Sequence, residues 1–241
     1  IGSLDKIQGL NNRIFILDRH QAKGVFEFTR DGVFVRQIGS RGNGPGEYIV
    51  PGDFSLDMVN GRIYILDDQK QTISQYNISD GKFQKTIALD KESGIRSHRI
   101  QWADGSLFVD LYCFDEQPAT DGLLRRIDLS TAKSDGVYMS SAYNKQWHDP
   151  ERIDSKVFYP GEKNAYRFVK QFMDTVFYIG SQGVMPYMAL QSEDLLRPQD
   201  LKVVDMNSRL PLEAQLFQTN KIYGIHDYRE HNHVIYFRYM K

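Results

Sequence analysis

Arg13-Ile14-Phe15-Ile16-Leu17-Asp18 returns 49 residues later as Arg62-Ile63-Tyr64-Ile65-Leu66-Asp67. At the same offset Asp31-Gly32-Val33-Phe34-Val35-Arg36-Gln37-Ile38 returns as Asp80-Gly81-Lys82-Phe83-Gln84-Lys85-Thr86-Ile87. Between them, Val25-Phe26-Glu27-Phe28 matches Ile73-Ser74-Gln75-Tyr76 at an offset of 48, so the length changes fall in turns. Fainter copies of the Arg13–Asp18 strand are Ser106-Leu107-Phe108-Val109, Thr175 to Ile179 and Lys221 to His226. The widest gap between copies holds an insertion, roughly 140–164, rich in polar and aromatic residues.

One unit reads as four short strands: 53–57, 62–66, 73–78 and 82–88. Asn60-Gly61 and Asp80-Gly81 between them are hairpin dipeptides. Ile63-Tyr64-Ile65-Leu66 is apolar on both faces, so that strand needs cover on both sides. Four-stranded units of 40–50 residues, stacked face to face, make a β-propeller. The expectation is an all-β, single propeller domain over 1–241, with blades near 1–39, 50–90, 97–140, 165–206 and 214–241.

The 241 residues include 30 Lys and Arg against 31 Asp and Glu, a net charge of −1. That balance argues against a nucleic-acid partner. No run of 18 apolar residues suggests a membrane-spanning helix. The lone Cys113 excludes an internal disulfide and Cys-based zinc sites.

Gly39-Ser40-Arg41-Gly42-Asn43-Gly44-Pro45-Gly46-Glu47-Tyr48, followed by Pro51, the strand to Asp57, Arg62 to Asp67 and Gly81-Lys82-Phe83, resembles the NHL repeat. More closely, it is similar to the six-bladed β-propeller proteins that Bacteroidetes encode as exported proteins or lipoproteins. The likeness is tight over 12–89 and loose over 100–241. It implies a periplasmic or cell-surface protein, tied to a membrane only through a lipid anchor outside this chain. Four complete units and a fifth without its outer strand fall short of six blades, which reads as a fragment or crop of a longer protein in preference to a five-bladed relative.

The glycines of 39–46 read as a blade connection. No helix start follows, and Glu47 would repel phosphate. Asp18 and Asp67 end second strands and are expected to accept N–H bonds from the next turn; Gly180 and His226 take their places in the fourth and fifth copies. His226, His231 and His233 share one hairpin and are the weak metal candidates. Trp147-His148-Asp149 lies in the insertion beside Tyr143 and Tyr159, either as a ligand patch or as a pin to the rim.

In a propeller the outer-to-inner and second-to-third loops share a face. Here that face would carry Arg19, His20, Arg41, Glu47, Asp68, Gln69, Tyr112, Asp115, Trp147, His148, His226 and Asp227. The expected function is non-catalytic binding of a protein or carbohydrate, with no cofactor. The alternative is a lyase or lactonase-type enzyme with a divalent metal, Ca or Zn, in the channel. G-x-S-x-G is absent, and the innermost strands repeat no ligand.

Overall fold

The computed structural model describes residues 1–89, 95–113, 122–140, 156–162, 164–170, 172–197, 200, 210 and 212–240. Strands β1 (Lys6–Leu10), β2 (Arg13–Asp18), β3 (Gly24–Thr29) and β4 (Phe34–Ile38) form an antiparallel sheet in sequence order. β5 (Ser40–Arg41) and β6 (Glu47–Tyr48) pair in parallel within the glycine-rich connection. β7 (Pro51–Asp57), β8 (Arg62–Asp67), β9 (Thr72–Asn77) and β10 (Phe83–Ala88) build the second sheet, within two residues of the strands expected from the repeat.

β11 (Ile95–Arg96) leads into the third sheet of β12 (Ile100–Ala103), β13 (Ser106–Asp110), β15 (Leu124–Asp128) and β16 (Lys133–Tyr138); β14 (Tyr112–Cys113) pairs back to β11. The fourth sheet is β17 (Phe158–Pro160), β18 (Tyr166–Phe168), β19 (Thr175–Gly180) and β20 (Gly183–Ala189). A short helix, α1 (Leu212–Gln218), precedes the hairpin of β21 (Gly224–His231) and β22 (Val234–Met240). The inner strands contact in succession, β1 with β7, β7 with β12 and β17 with β21. Antiparallel sheets whose first strands share a centre are a propeller-like ring.

The two-faced strand does what its pattern requires. Ile63 and Ile65 enter the core between the first and second sheets, beside Phe15, Leu17 and Phe54. Tyr64 and Leu66 enter the core between the second and third, beside Trp102 and Leu107. Each such side chain contributes roughly 1.5–3 kcal/mol of burial. The third-to-fourth strand pairs of all four sheets share a register shift, next to Glu27, Gln75, Arg126 and Val176. At that position Glu27 meets Arg13 and Arg36, Gln75 meets Gln84, and Arg126 meets Asp135.

The later units differ from the sequence reading. Thr175–Gly180 is the third strand of its sheet, and the first, Phe158–Pro160, lies inside the stretch taken as insertion. The reason is the apolar run of β19, where Val176 and Ile179 are fully buried. It imitates the second strand of other units, whereas the true second strand is only three residues long. The last hairpin is likewise an inner pair, since β21 packs on β17. Its turn, Asn232-His233, has positive φ at both residues, a type I′ geometry. Helix α1 occupies the start of the segment expected as the fifth blade.

The glycine connection is held by fit. Gly46 has φ +71°, and a Cβ there would lie 2.7 Å from Phe83. Tyr76 Oη donates to Gly46 O at 2.9 Å and Tyr48 Oη to Ile38 O at 3.0 Å. Gly61 also has positive φ, +62°, but faces open space. Gly61→Ala is expected to cost about 1–2 kcal/mol, the left-handed strain alone. Gly46→Ala adds a clash of roughly 1–3 kcal/mol, so the two denaturant midpoints should separate clearly.

Candidate functional site

Asp18, Asp67 and Asp110 are equivalent and buried at the ends of β2, β8 and β13. Asp18 accepts from the backbone N–H of Gly2, Ser3 and Gln21. Asp67 accepts from Ile49 at 2.6 Å, Gln69 at 2.9 Å and Lys70 at 3.0 Å. Asp110 accepts from His98 at 2.7 Å and Arg99 at 2.8 Å. The expected turn bond is present for Asp18 and Asp67; all three carboxylates also hold the segment entering their blade's inner strand. The positions matched to them by sequence are elsewhere: Gly180 ends a third strand and His226 lies in an inner one. Burial opposes the charge of Asp18, yet the bonds from Gly2, Gln21 and Ser3 hold its carboxyl well below the usual carboxylate range.

The first strands surround a cavity of about 670 Å3. Lys6, Asp53, Arg99 and Lys156 line it within two residues of the starts of β1, β7, β12 and β17, hence at one end of the channel. Gln8, Gln101, Phe158 and Tyr166 line it further along. Lys6 Nζ lies 2.9 Å from Asp53 Oδ1. Burial, and secondarily Arg99, push the Lys6 ammonium down, while Asp53 pulls it up. At the same end Arg19 reaches Asp68 at 3.1 Å, and Asp68 reaches His98 Nδ1 at 3.1 Å, joining three blades. His98 packs edge-on against Tyr112, and Lys170 lies 4.8 Å from the Tyr112 ring centroid.

A family model matches residues 1–241 under the description Domain of unknown function (DUF4934). The chain belongs to that family. No curated protein matches this DUF4934 chain. A protein of Bacteroides fragilis NCTC 9343 described as exported, BF0058, is similar in structure, with a TM-score of 0.74 and 21% identity over 98% of this chain. The chain spans 64% of that protein's length. A streptogramin B lyase is similar at TM-score 0.51 and 15% identity, over 78% of this chain and 54% of its own. A virginiamycin B lyase from Staphylococcus aureus, solved with quinupristin, is similar at TM-score 0.51 and 12% identity, over 78% and 56%. At these identities the likeness establishes the fold.

Of the residues expected on the ligand face, Arg19 and His20 line the channel of the DUF4934 chain, His20 lying 3.3 Å from Asp5. Asp68 is engaged with Arg19 and His98, and Tyr112 is buried. Glu47 accepts from Gly44 N–H within its own loop. Arg41 and Gln69 are exposed. His226 faces Arg238 across the last hairpin, and Asp227, at a bulge, contacts Arg238 at 3.3 Å. His231 and His233 lie at the turn, with His226 five residues back along the strand. Among the described residues no group of three or more His, Cys, Asp or Glu side chains is placed to hold a metal ion. Asp115, Trp147 and His148 lie outside the described residues. The channel residues Lys6, Asp53, Arg99 and Lys156 were absent from the expectation because their residue type does not repeat from one blade to the next; their shared signal is their place at an inner-strand start.

Asp67→Ala should cost about 2–4 kcal/mol in denaturant melts, because several buried N–H groups lose a charged acceptor. Asp18 has a depressed folded pKa, so its contribution is complete above the unfolded value of about 3.9 and is lost as pH falls further. Asp18→Asn should therefore be less stable than wild type at neutral pH and show a flatter stability profile between about pH 5 and pH 2.

Proposed function

We propose that this chain is part of an exported, NHL-like six-bladed propeller that binds a carbohydrate, without catalysis, in the mouth of its central channel. Periplasmic or cell-surface residence accords with the likeness to an exported Bacteroides protein. The observation that carries the binding reading is the channel cavity of about 670 Å3, which combines the aromatic rings of Phe158 and Tyr166 with Gln8, Gln101 and a charged end. Its size falls within the roughly 300–1,000 Å3 of small-molecule sites. Aromatic walls beside amides and charges suit a ligand with apolar ring faces and many hydroxyls. No helix among the described residues is long and apolar enough to cross a membrane.

The fold shared with two lyases favours a second reading, a metal-dependent lyase. It would require acid–base groups or ligands contributed by several blades. Among the described residues, Asp5, Asp53 and His20 are the carboxylate and imidazole groups lining the channel. Asp53 is already engaged with Lys6 and with the Ile100 N–H.

Titration calorimetry against a panel of neutral and acidic disaccharides is expected to give at least one saturable ligand. Tyr166→Ala should weaken that ligand at least tenfold, and Tyr166→Phe should stay within about threefold. A panel without binding overturns the carbohydrate reading. Recovery of the ligand uncleaved supports non-catalytic binding. Cleavage that a chelator abolishes would overturn it in favour of the lyase.

A further inference from the structure

We infer that the channel is built for an anionic saccharide, one bearing a carboxylate or sulfate, and that Lys156 with Arg229 receives its charge. The inference rests on the channel being the ligand site.

The charge is locally concentrated. The chain as a whole carries a net charge of −1. Among the described residues the channel lining nevertheless has four basic side chains, Lys6, Arg19, Arg99 and Lys156, against two carboxylates, Asp5 and Asp53, with Asp68 beside Arg19. A cleft with low-dielectric walls focuses such an imbalance on whatever enters it.

The cations do not share the carboxylates evenly. Lys6 takes Asp53 at 2.9 Å, and Arg19 takes Asp68 at 3.1 Å. The Lys156 ammonium lies 4.8 Å from the centroid of the Tyr159 ring, and no carboxylate among the described residues comes within ion-pair distance of it. Arg229, on the neighbouring inner strand, likewise pairs with no carboxylate among the described residues. Asp227, two residues away, is at 3.3 Å from Arg238.

The electrostatics agree with this geometry. Burial is the largest effect pushing the Lys156 ammonium down, and the charges of Lys6 and Arg229 add to it against Asp227. Neighbouring cations that repel one another are relieved when an anion binds between them. Lysine is a mobile point charge, which suits either a carboxylate or a sulfate. Phe158 and Tyr166 lie further along the same wall, where a sugar ring attached to that anion would rest.

The test uses the full 241-residue chain with digalacturonate, galactose 6-sulfate and neutral galactobiose in calorimetry. At least one anionic sugar should bind at least twentyfold more tightly than galactobiose. Lys156→Gln should weaken it at least tenfold, and Lys156→Gln with Arg229→Gln further still. Lys82→Gln, in an exposed turn, should leave it within twofold, and thermal midpoints report that all variants fold. Tight digalacturonate with weak galactose 6-sulfate identifies a uronate; the reverse identifies a sulfated sugar, and either supports the inference. Galactobiose binding as tightly as the anionic sugars overturns the inference and leaves the channel reading standing. No binding by any of the three overturns both. Anionic binding that Lys156→Gln leaves within twofold also overturns the inference.

Discussion

The inner edge of each blade sets the terms for the rest of the molecule. A first strand pairs with only one neighbour, and the backbone N–H groups on its other side turn toward the crowded centre. Left without acceptors there, they would cost free energy comparable to lost hydrogen bonds. Side chains of the preceding blade meet them. Gln8 accepts from the Leu56 N–H at 3.1 Å, Asp53 from Ile100 at 2.9 Å and Ser55 Oγ from Trp102 at 2.8 Å. These contacts join sheets that no strand ladder joins. They also explain why polar residues occupy strands otherwise buried throughout.

The aspartates at the ends of β2, β8 and β13 solve the related problem at the strand entrance. Each holds the incoming backbone of its own blade, and Asp18 and Asp67 also hold the turn that follows the second strand. The loop face is therefore fixed from beneath by carboxylates that are themselves committed. This commitment separates the face into two kinds of residue. Asp67, Glu47 and Tyr112 build the frame, while Lys6, Arg99 and Lys156 stand around the opening.

Between blades, alternation along a single strand decides which core a residue joins. Ile63 and Ile65 belong to one core, Tyr64 and Leu66 to the next. Stability is thus distributed over successive interfaces, each with its own apolar cluster. The fourth and fifth sheets are further tied by Arg167, which donates to Glu230 at 2.7 and 3.0 Å and lies 3.8 Å from the Tyr187 ring centroid. That link has no counterpart in the repeat pattern.

The chain's sequence by itself determined the class of fold and the strands of the first two blades. Short apolar runs and hairpin dipeptides act over a few residues each, and the 49-residue repeat copies them from one unit to the next. It also marked Asp18 and Asp67, because a carboxylate at a strand end has a local use. The fourth blade was less legible: its second strand is three residues long, and the longer apolar strand after it carries the stronger pattern. Only the tertiary structure decided which side chains meet at the centre. Lys6, Asp53, Arg99 and Lys156 come from four blades, and the residue type changes from each blade to the next. The packing of successive sheets around a common centre brings them together, and a charge acts on its neighbours in space regardless of their separation along the chain.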